Sequence, residues 1–425
     1  MTELPSPPLL LQMTLNAVQQ LCSYLTMDEH ALLRRLSPSA NTLFGRPEFF
    51  YVIKLYGLCE PLASFPHTPR LHHLTIYKWH AAFSSPHLTW YHDWSQLRTL
   101  RLFACYSTDN TGKMSCQLWP RMPYLHRLYL GVYSAYTGLV SWLKQGHAPA
   151  LRELSLTRKM FDREGLRQAL ATLVTQSLQC LTLEGDGAYV YPLVGTEDNI
   201  SLRGVVVPGS KLRTLIFKYG APVPAEAAFY QALAEQASDF EHLEISRWQH
   251  VEGLEPLRAL GPQLTTLALH WRDFKSTPHS THHITGLRHF HRLQTLSLRL
   301  SRGLCNPHVP RHGSWIDILS PHVAKHTLRS LTVISPERCN WEFSDWSVLE
   351  ALESLSVTTE GEFSAARLVD CQQLRHLKFC GEHLLNQEAL LTLRKFERLC
   401  VHHSPEVGSK YYIGREAVET YLKSL

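Results

Sequence analysis

Five histidines, His279, His282, His283, His289 and His291, crowd the stretch PHSTHHITGLRHFH, and imidazole is a common metal ligand. Their spacing matches no recognised zinc pattern and no cysteine stands near them, so they read as loop and helix-surface residues and no metal is assigned. The ten cysteines form no CxxC pair. Cys105, Cys180 and Cys380 fall where a repeating unit needs a small buried residue, which suits reduced structural thiols. There is no GxxxxGK[ST] or GxGxxG loop to cradle a phosphate, and no local signature singles out a nucleophile. Neither catalysis nor a cofactor is expected. Recognition chemistry is better represented. Tyr77, Arg101, Phe103, Arg127, Tyr129, Lys218, His270, Arg299, Lys378 and Arg398 are mostly aromatic or basic, and Tyr and Arg in particular are enriched at protein-binding hot spots.

The elements that must present these side chains are written as a repeat. Thirteen times the chain runs apolar-x-x-apolar-x-apolar, opening at Leu71, Leu97, Leu125, Leu151, Leu178, Leu212, Phe240, Leu264, Leu293, Leu328, Leu352, Leu374 and Phe396. Most openings lie 22 to 29 residues apart. A fixed period of this length predicts an α/β leucine-rich-repeat solenoid, with strands on one side and helices or irregular segments on the other. Within each copy apolar and polar residues alternate, which predicts a short strand with one face inward. In LRTLRLF, Leu100 and Leu102 are expected to point into the core, and Thr99, Arg101 and Phe103 away from it. The same alternation turns His73, Thr75, Tyr77, Arg127, Tyr129 and Gly131 outward, then Glu153, Glu184 and Glu244 among the acids, and Lys218, His270, Arg299, Lys378, Arg398 and His402 among the bases.

Helical spacing is clearest over 162–174, where Leu166, Ala169, Leu170 and Leu173 share a face behind Asp162, and helices are also expected over 225–236, 314–320 and 387–395. Parallel strands stack about 4.8 Å apart while packed helices need roughly 8 to 10 Å, so the strands should line an inner, concave arc of roughly 60 Å. That is a groove for a protein, too open for an ordinary small-molecule pocket. The intervals after Leu178 and Leu293 lengthen to 34 and 35 residues, which predicts insertions at 185–211 and 300–327.

Composition agrees with a folded chain: 44% of the 425 residues are hydrophobic and 19% charged. The net charge of +5 is mild, and no Lys/Arg run marks an arm for nucleic acid or a membrane surface. No segment approaches 18 uninterrupted apolar residues, and MTELPSPPLLLQ lacks the basic start of a secretory signal. The expectation is a cytoplasmic and/or nuclear protein, with no membrane and no nucleic acid among its partners.

The repeats resemble the intracellular leucine-rich repeats of ribonuclease inhibitor and of F-box proteins. The family's Asn or Cys eight residues after the first Leu is kept at Cys105, but Tyr133, Lys159, Asp186 and Ser301 stand at other such places. The N-terminal LNAVQQLCSYLTMDEHALLRRLSPSANTLFGRPEFFYVI resembles a divergent F-box: Val18, Leu21, Cys22, Tyr24 and Leu25, then Asp28, then Leu32, Leu33, Leu36 and Ser37 hold the family's spacing. The opening Leu-Pro is Leu15-Asn16 here, the Asp-Leu pair is Glu29-His30, and the closing Trp is missing. The division this implies is 1–56 F-box-like helices, 57–70 linker, 71–410 solenoid and 411–425 a capping helix.

An F-box/leucine-rich-repeat chain would be the substrate receptor of an SCF-type cullin-RING ubiquitin ligase. Val18, Leu21, Leu25, Leu32, Leu33 and Leu36 would lie on the Skp adaptor, and the concave face would hold a target protein. The excess of outward bases suggests a target with acidic or phosphorylated residues; an ordinary solvated strand face is the other reading. Two alternatives stay open: a non-catalytic interaction scaffold whose N-terminus is only a solenoid cap, and a regulator of the inhibitor or GTPase-activating kind. Fold does not separate them.

Overall fold

The computed structural model describes residues 52–56, 71–77, 94–103, 113–116, 119–131, 135–157, 164–185, 205–218, 227–248, 254–271, 286–299, 326–334, 346–363, 368–369, 371–383, 391–392, 395–403 and 412–413. They fall into two compact units, one made of 1–196 with 210–212, the other of 197–209 with 213–425.

In the first unit parallel strands follow one another as β1 (Val52–Tyr56), β2 (His73–Tyr77), β3 (Thr99–Phe103), β5 (Arg127–Leu130), β7 (Glu153–Thr157) and β8 (Cys180–Glu184). A separate two-stranded parallel pair, β4 (Lys113–Ser115) with β6 (Ala135–Thr137), lies in the connections. The second unit continues with β9 (Thr214–Lys218), β10 (His242–Trp248), β11 (Thr266–Trp271), β12 (Thr295–Arg299), β13 (Ser330–Ile334), β14 (Ser354–Phe363), β15 (His376–His383) and β16 (Arg398–His403), each parallel to the next. The two-residue β17 (Tyr412–Ile413) closes the series antiparallel to β16.

Every one of the thirteen sequence copies supplies a strand, and all thirteen opening residues, Leu71 to Phe396, are buried. The two following apolar positions are buried as well wherever their side chains are described, as at Leu100 and Leu102 or Leu296 and Leu298. Strand after strand of parallel pairing at the repeat period, with one apolar face turned to the outer segments, makes the chain a leucine-rich-repeat solenoid of the α/β class.

The outer segments differ from copy to copy. The first unit uses α1 (Leu139–Lys144) and α2 (Glu164–Gln176), which bury Leu139, Trp142 and Leu143 and then Leu166, Ala169, Leu170, Leu173 and Val174. Trp142 is fixed by an edge-on contact with Trp119 and by donating its indole N–H to Pro120 O at 3.2 Å. In the second unit α3 (Ala227–Gln236) buries Phe229, Tyr230 and Leu233, whereas the described outer residues of other copies form short 3-10 turns, at Glu255–Leu260, 286–289 and Trp346–Val348. Such turns let neighbouring copies approach closely. At Gly261 an added Cβ would sit 2.2 Å from the carbonyl oxygen of His289, so no larger residue fits there without moving backbone.

Several sequence boundaries shift. The sheet starts at Val52–Tyr56, inside the segment expected to be F-box-like helix, and Tyr412–Ile413 is a strand where the capping helix was to begin. The expected helices over 162–174 and 225–236 are present as α2 and α3, α1 was not anticipated, and 314–320 lies outside the described residues. Most of both insertions, 186–204 and 300–325, also lies outside them. Cys180 and Cys380, expected to be buried, are half-buried residues on the strand face away from the core, and Cys105 lies outside the described residues; among the described residues Cys116 and Cys371 are the buried thiols.

One backbone device recurs through both units. The residue just after most of the opening apolar positions, though not Gln179 after Leu178, offers its carbonyl oxygen to two successive N–H groups of the next copy. His72 O accepts from Arg98 N at 2.8 Å and Thr99 N at 3.0 Å, and Arg98 O from His126 N at 2.9 Å and Arg127 N at 3.0 Å. His126 O and Arg152 O repeat the pattern, as do Glu241 O, Thr265 O, Gln294 O and Arg329 O in the second unit. Where they occur, these bonds set the register of a copy on the one before it, because they satisfy the two donors at the entry to its strand.

Candidate functional site

The alternation of the strands leaves three columns of residues on the face opposite the core. In the first unit the register aligns His73, Thr99, Arg127 and Glu153 in one column, and Thr75, Arg101, Tyr129 and Ser155 in the next. The register pairs Tyr77 with Phe103 in a third. Four of the expected recognition residues are therefore neighbours: Arg101, Phe103, Arg127 and Tyr129.

They are not free of one another. The Arg101 guanidinium lies over the Tyr129 ring, 4.7 Å from its centroid, and the Tyr129 hydroxyl donates to Glu153 Oε2 at 2.8 Å. Arg127 Nε donates to the other oxygen, Glu153 Oε1, at 3.0 Å. Glu153 thus anchors both outward residues of β5. Burial and the hydrogen bond to Glu153 hold the Tyr129 phenol above its ordinary value, so it stays neutral and keeps donating. His73, at the head of the first column, is held below the usual imidazole value by burial and then by His72, Arg127, Arg98 and Arg101.

Gly131 follows β5 where the other copies carry a larger residue. A Cβ there would come within 2.9 Å of Leu102 O and 3.1 Å of the Phe103 ring, so glycine is what lets Phe103 lie against the strand next to it. Several residues of this face, Thr75, Thr99, Ser155, Thr157 and Thr182, point away from the core yet are buried. Periodicity alone marked such positions as open.

In the second unit the expected bases do not form one patch. His270 stands opposite Arg299, and Lys378 on β15 and Arg398 on β16 are on neighbouring strands but one column apart, Lys378 opposite Cys400 and Arg398 opposite His376. Between Arg299 and Lys378 run β13 and β14, whose outward residues are Ser330, Thr332, Ile334, Ser354, Ser356 and Thr358. Three strand steps, roughly 14 Å, separate the two basic pairs. Lys218 closes β9 with Ile216 and Thr214 before it. A single basic groove running through every copy is not what the register builds.

The remaining sequence candidates are placed or left aside by the same description. Val18, Leu21, Leu25, Leu32, Leu33 and Leu36, proposed to meet the adaptor, lie outside the described residues, as do His279, His282 and His283. His289 is 3.6 Å from Glu255 Oε1 on the neighbouring turn, an ordinary surface pairing. Among the described residues there is no group of three or more His, Cys, Asp or Glu side chains that could hold a metal ion, and no helix is long and apolar enough to cross a membrane. The sequence reading missed the column one residue before the strands, His72, Arg98, His126 and Arg152; the words LHHL, LRTL, LHRL and LREL carried it.

No family model matches the sequence, and no curated protein matches it. Solved structures offer likeness of fold only. An internalin (inlF) from Listeria monocytogenes overlays 91% of this chain and 98% of its own at 13% identity and a TM-score of 0.45. TLR13, in a complex with ssRNA13, overlays 80% of this chain at 14% identity and a TM-score of 0.42, and this chain spans 46% of its length. Neither overlay is close enough to equate a residue here with one there.

Proposed function

We propose that the chain is a protein-binding scaffold, and within that class the substrate receptor of an SCF-type cullin-RING ubiquitin ligase. The carrying observation is the run of apolar residues from Val18 to Leu36 at F-box spacing, set directly before a solenoid whose strands present polar, basic and aromatic columns. The first part would bind the Skp adaptor through Val18, Leu21, Leu25, Leu32, Leu33 and Leu36. The second would hold the target on its open strand face, with the Arg101, Phe103, Arg127 and Tyr129 cluster as the anchor; large side chains of this kind dominate protein interfaces. The chain itself would perform no chemistry, its role being to bring a target to the ligase in cytoplasm or nucleus.

The test is co-purification of the full chain with a Skp adaptor, repeated with Leu32→Asp and Leu36→Asp together. Adaptor recovered with the unaltered chain and lost with the double variant supports the receptor. No adaptor bound at micromolar concentration leaves the simpler scaffold, with residues 1–50 as the solenoid's cap.

A further inference from the structure

The last two parallel strands, β15 and β16, bring together two cysteines and a histidine, a set that no other described pair of neighbouring strands combines. Their register is unbroken from His376 with Arg398 to Gly381 with His403. Within it Lys378 stands opposite Cys400, and Cys380 opposite His402. Leu377, Phe379 and Leu399 are buried in the core, so alternation puts Cys380, Cys400 and His402 together on the other face, with Glu382 two residues beyond Cys380. Cys380 and Cys400 are half-buried and in no disulfide. Glu382 and His402 are placed by backbone register, and their side chains lie outside the description. The two thiols alone make a pair; register supplies the third and fourth donors.

Neighbouring strands lie about 4.8 Å apart and alternate residues of one strand about 6.6 Å apart. The Cα atoms of Cys380 and His402 are therefore about 4.8 Å apart, those of Cys400 and His402 about 6.6 Å, and those of Cys380 and Cys400, on the diagonal, about 8 Å. That diagonal exceeds the roughly 7 Å that a disulfide can bridge. A cation lying about 2.3 Å from each sulfur spans it. Thr358 on β14 stands opposite Cys380, and Tyr412 on β17 stands opposite His402, so hydroxyl-bearing residues border the row at both ends.

We propose that Cys380, Cys400 and His402, with Glu382 as the fourth donor, form a binding site for a zinc-class divalent cation that ties β15 to β16. Thiolate and imidazole donors in a four-coordinate set select zinc, whereas magnesium and calcium take oxygen ligands. Binding releases the two thiol protons. Two thiolates and a carboxylate around a dication leave one negative charge, and Lys378, exposed and directly opposite Cys400, is the cation that balances it. Arg398, two residues before Cys400, adds to the same field. Position in the array gives the site its purpose. Among the described strands β16 is the last parallel one, followed only by the two-residue antiparallel β17, so full-length stacking supports it from one side. A metal tie replaces the missing neighbour, whatever the solenoid binds.

The experiment strips the full chain with a chelator, keeps it reduced with a phosphine, and titrates it with Co²⁺ and then Zn²⁺, with Mg²⁺ as the comparison probe. One Co²⁺ per chain is expected, with the visible bands of a tetrahedral ion and an ultraviolet thiolate-to-cobalt band, both lost when Zn²⁺ displaces it and neither produced by Mg²⁺. Zn²⁺ should also raise the thermal midpoint. Cys380→Ser with Cys400→Ser should abolish the thiolate band, and His402→Gln should weaken Zn²⁺ binding at least about tenfold. Cys180→Ser removes a half-buried strand-face thiol of the first unit, and should change the affinity by less than about twofold. In the unaltered chain, saturating Zn²⁺ should slow alkylation of Cys380 and Cys400 by iodoacetamide, read peptide by peptide in a mass spectrometer, and leave Cys180 as reactive as before. That readout requires no variant to fold. Equal alkylation of Cys380 and Cys400 with and without Zn²⁺, cobalt bound with no thiolate band, or a thiolate band that survives in the double variant would each overturn the site. Protection of other cysteines in place of these two would overturn it as well. Adaptor co-purification is a separate measurement, and neither result decides the other.

Discussion

Glu153 shows how a residue's role is set by its copy number in a repeat. It occupies the same column as Arg127, one strand on, so its carboxylate lands against that guanidinium and within reach of the Tyr129 hydroxyl. The contact joins residues 26 apart in sequence, yet it was legible in principle, because both are the third residue of their copies. Imidazoles on the same unit carry a pH signature. His73 and His126 are lowered from the ordinary value of 6.5 by burial first and by cationic neighbours second; in the second unit His242 is lowered by burial even though Glu244 and Glu241 pull the other way. Folded-state values below the unfolded one mean that the unfolded chain takes up protons the folded chain refuses. Stability is therefore full above about pH 6.5 and declines as pH falls through that value, levelling off once the folded imidazoles protonate too. Thermal melts at about pH 8 and about pH 5.5 should show a lower midpoint in acid, with His73→Gln and His242→Gln together making the difference smaller. An unchanged gap in the double variant would remove these residues as its source.

At the scale of elements, alternation told more than helical spacing did. Each of the thirteen strands was marked by its last two apolar positions, which a period of two puts on one side, with the opening apolar residue buried just before the strand begins. The connections were harder, because an outer segment needs only to cover an apolar face, and a helix such as α2 does so no better than a 3-10 turn such as Glu255–Leu260. Strand β1 carries a further copy, Phe50-x-x-Ile53-x-Leu55, which the sequence reading overlooked, whereas the pair β4 and β6 carries none. The tight approach of Gly261 to His289 belongs to this scale as well. Gly261→Ala is expected to cost about 1 to 3 kcal/mol by forcing the two turns apart, measured as a lower denaturant midpoint with the slope unchanged. Arg258→Ala, which trims an exposed side chain of the same turn, should be close to neutral.

Across the molecule, the placement of the candidate residues was only partly legible. The sequence turned Arg101, Phe103, Arg127 and Tyr129 away from the core, and they do assemble on that face, but it counted the bases of the later copies as one population. Position along the array decides otherwise, since Ser and Thr strands stand between Arg299 and Lys378. Buried Ser155, Thr157 and Thr182 were unreadable for a related reason: an alternating pattern states which way a side chain points, not what covers it. Nearest-neighbour stacking also governs how damage spreads. Leu296→Ala in β12 removes a fully buried side chain, which costs about 2 to 5 kcal/mol. Hydrogen exchange should then quicken first in β11, β12 and β13 and leave β15 and β16 nearly as protected as before. Uniform loss of protection through the second unit would mean that it unfolds only as a whole.

The paired carbonyl bonds at the entry to each strand have a consequence for how this surface can change. Register there is held by main-chain atoms, and the side chains of that column add only exposed ion pairs such as Arg329 with Glu353, so they carry little structural duty. Charge can be inverted, erased or copied from one rung to the next at little expense to folding. The column is a line of text that can be edited letter by letter while the page stays intact, and its charge pattern can drift faster than the fold that displays it.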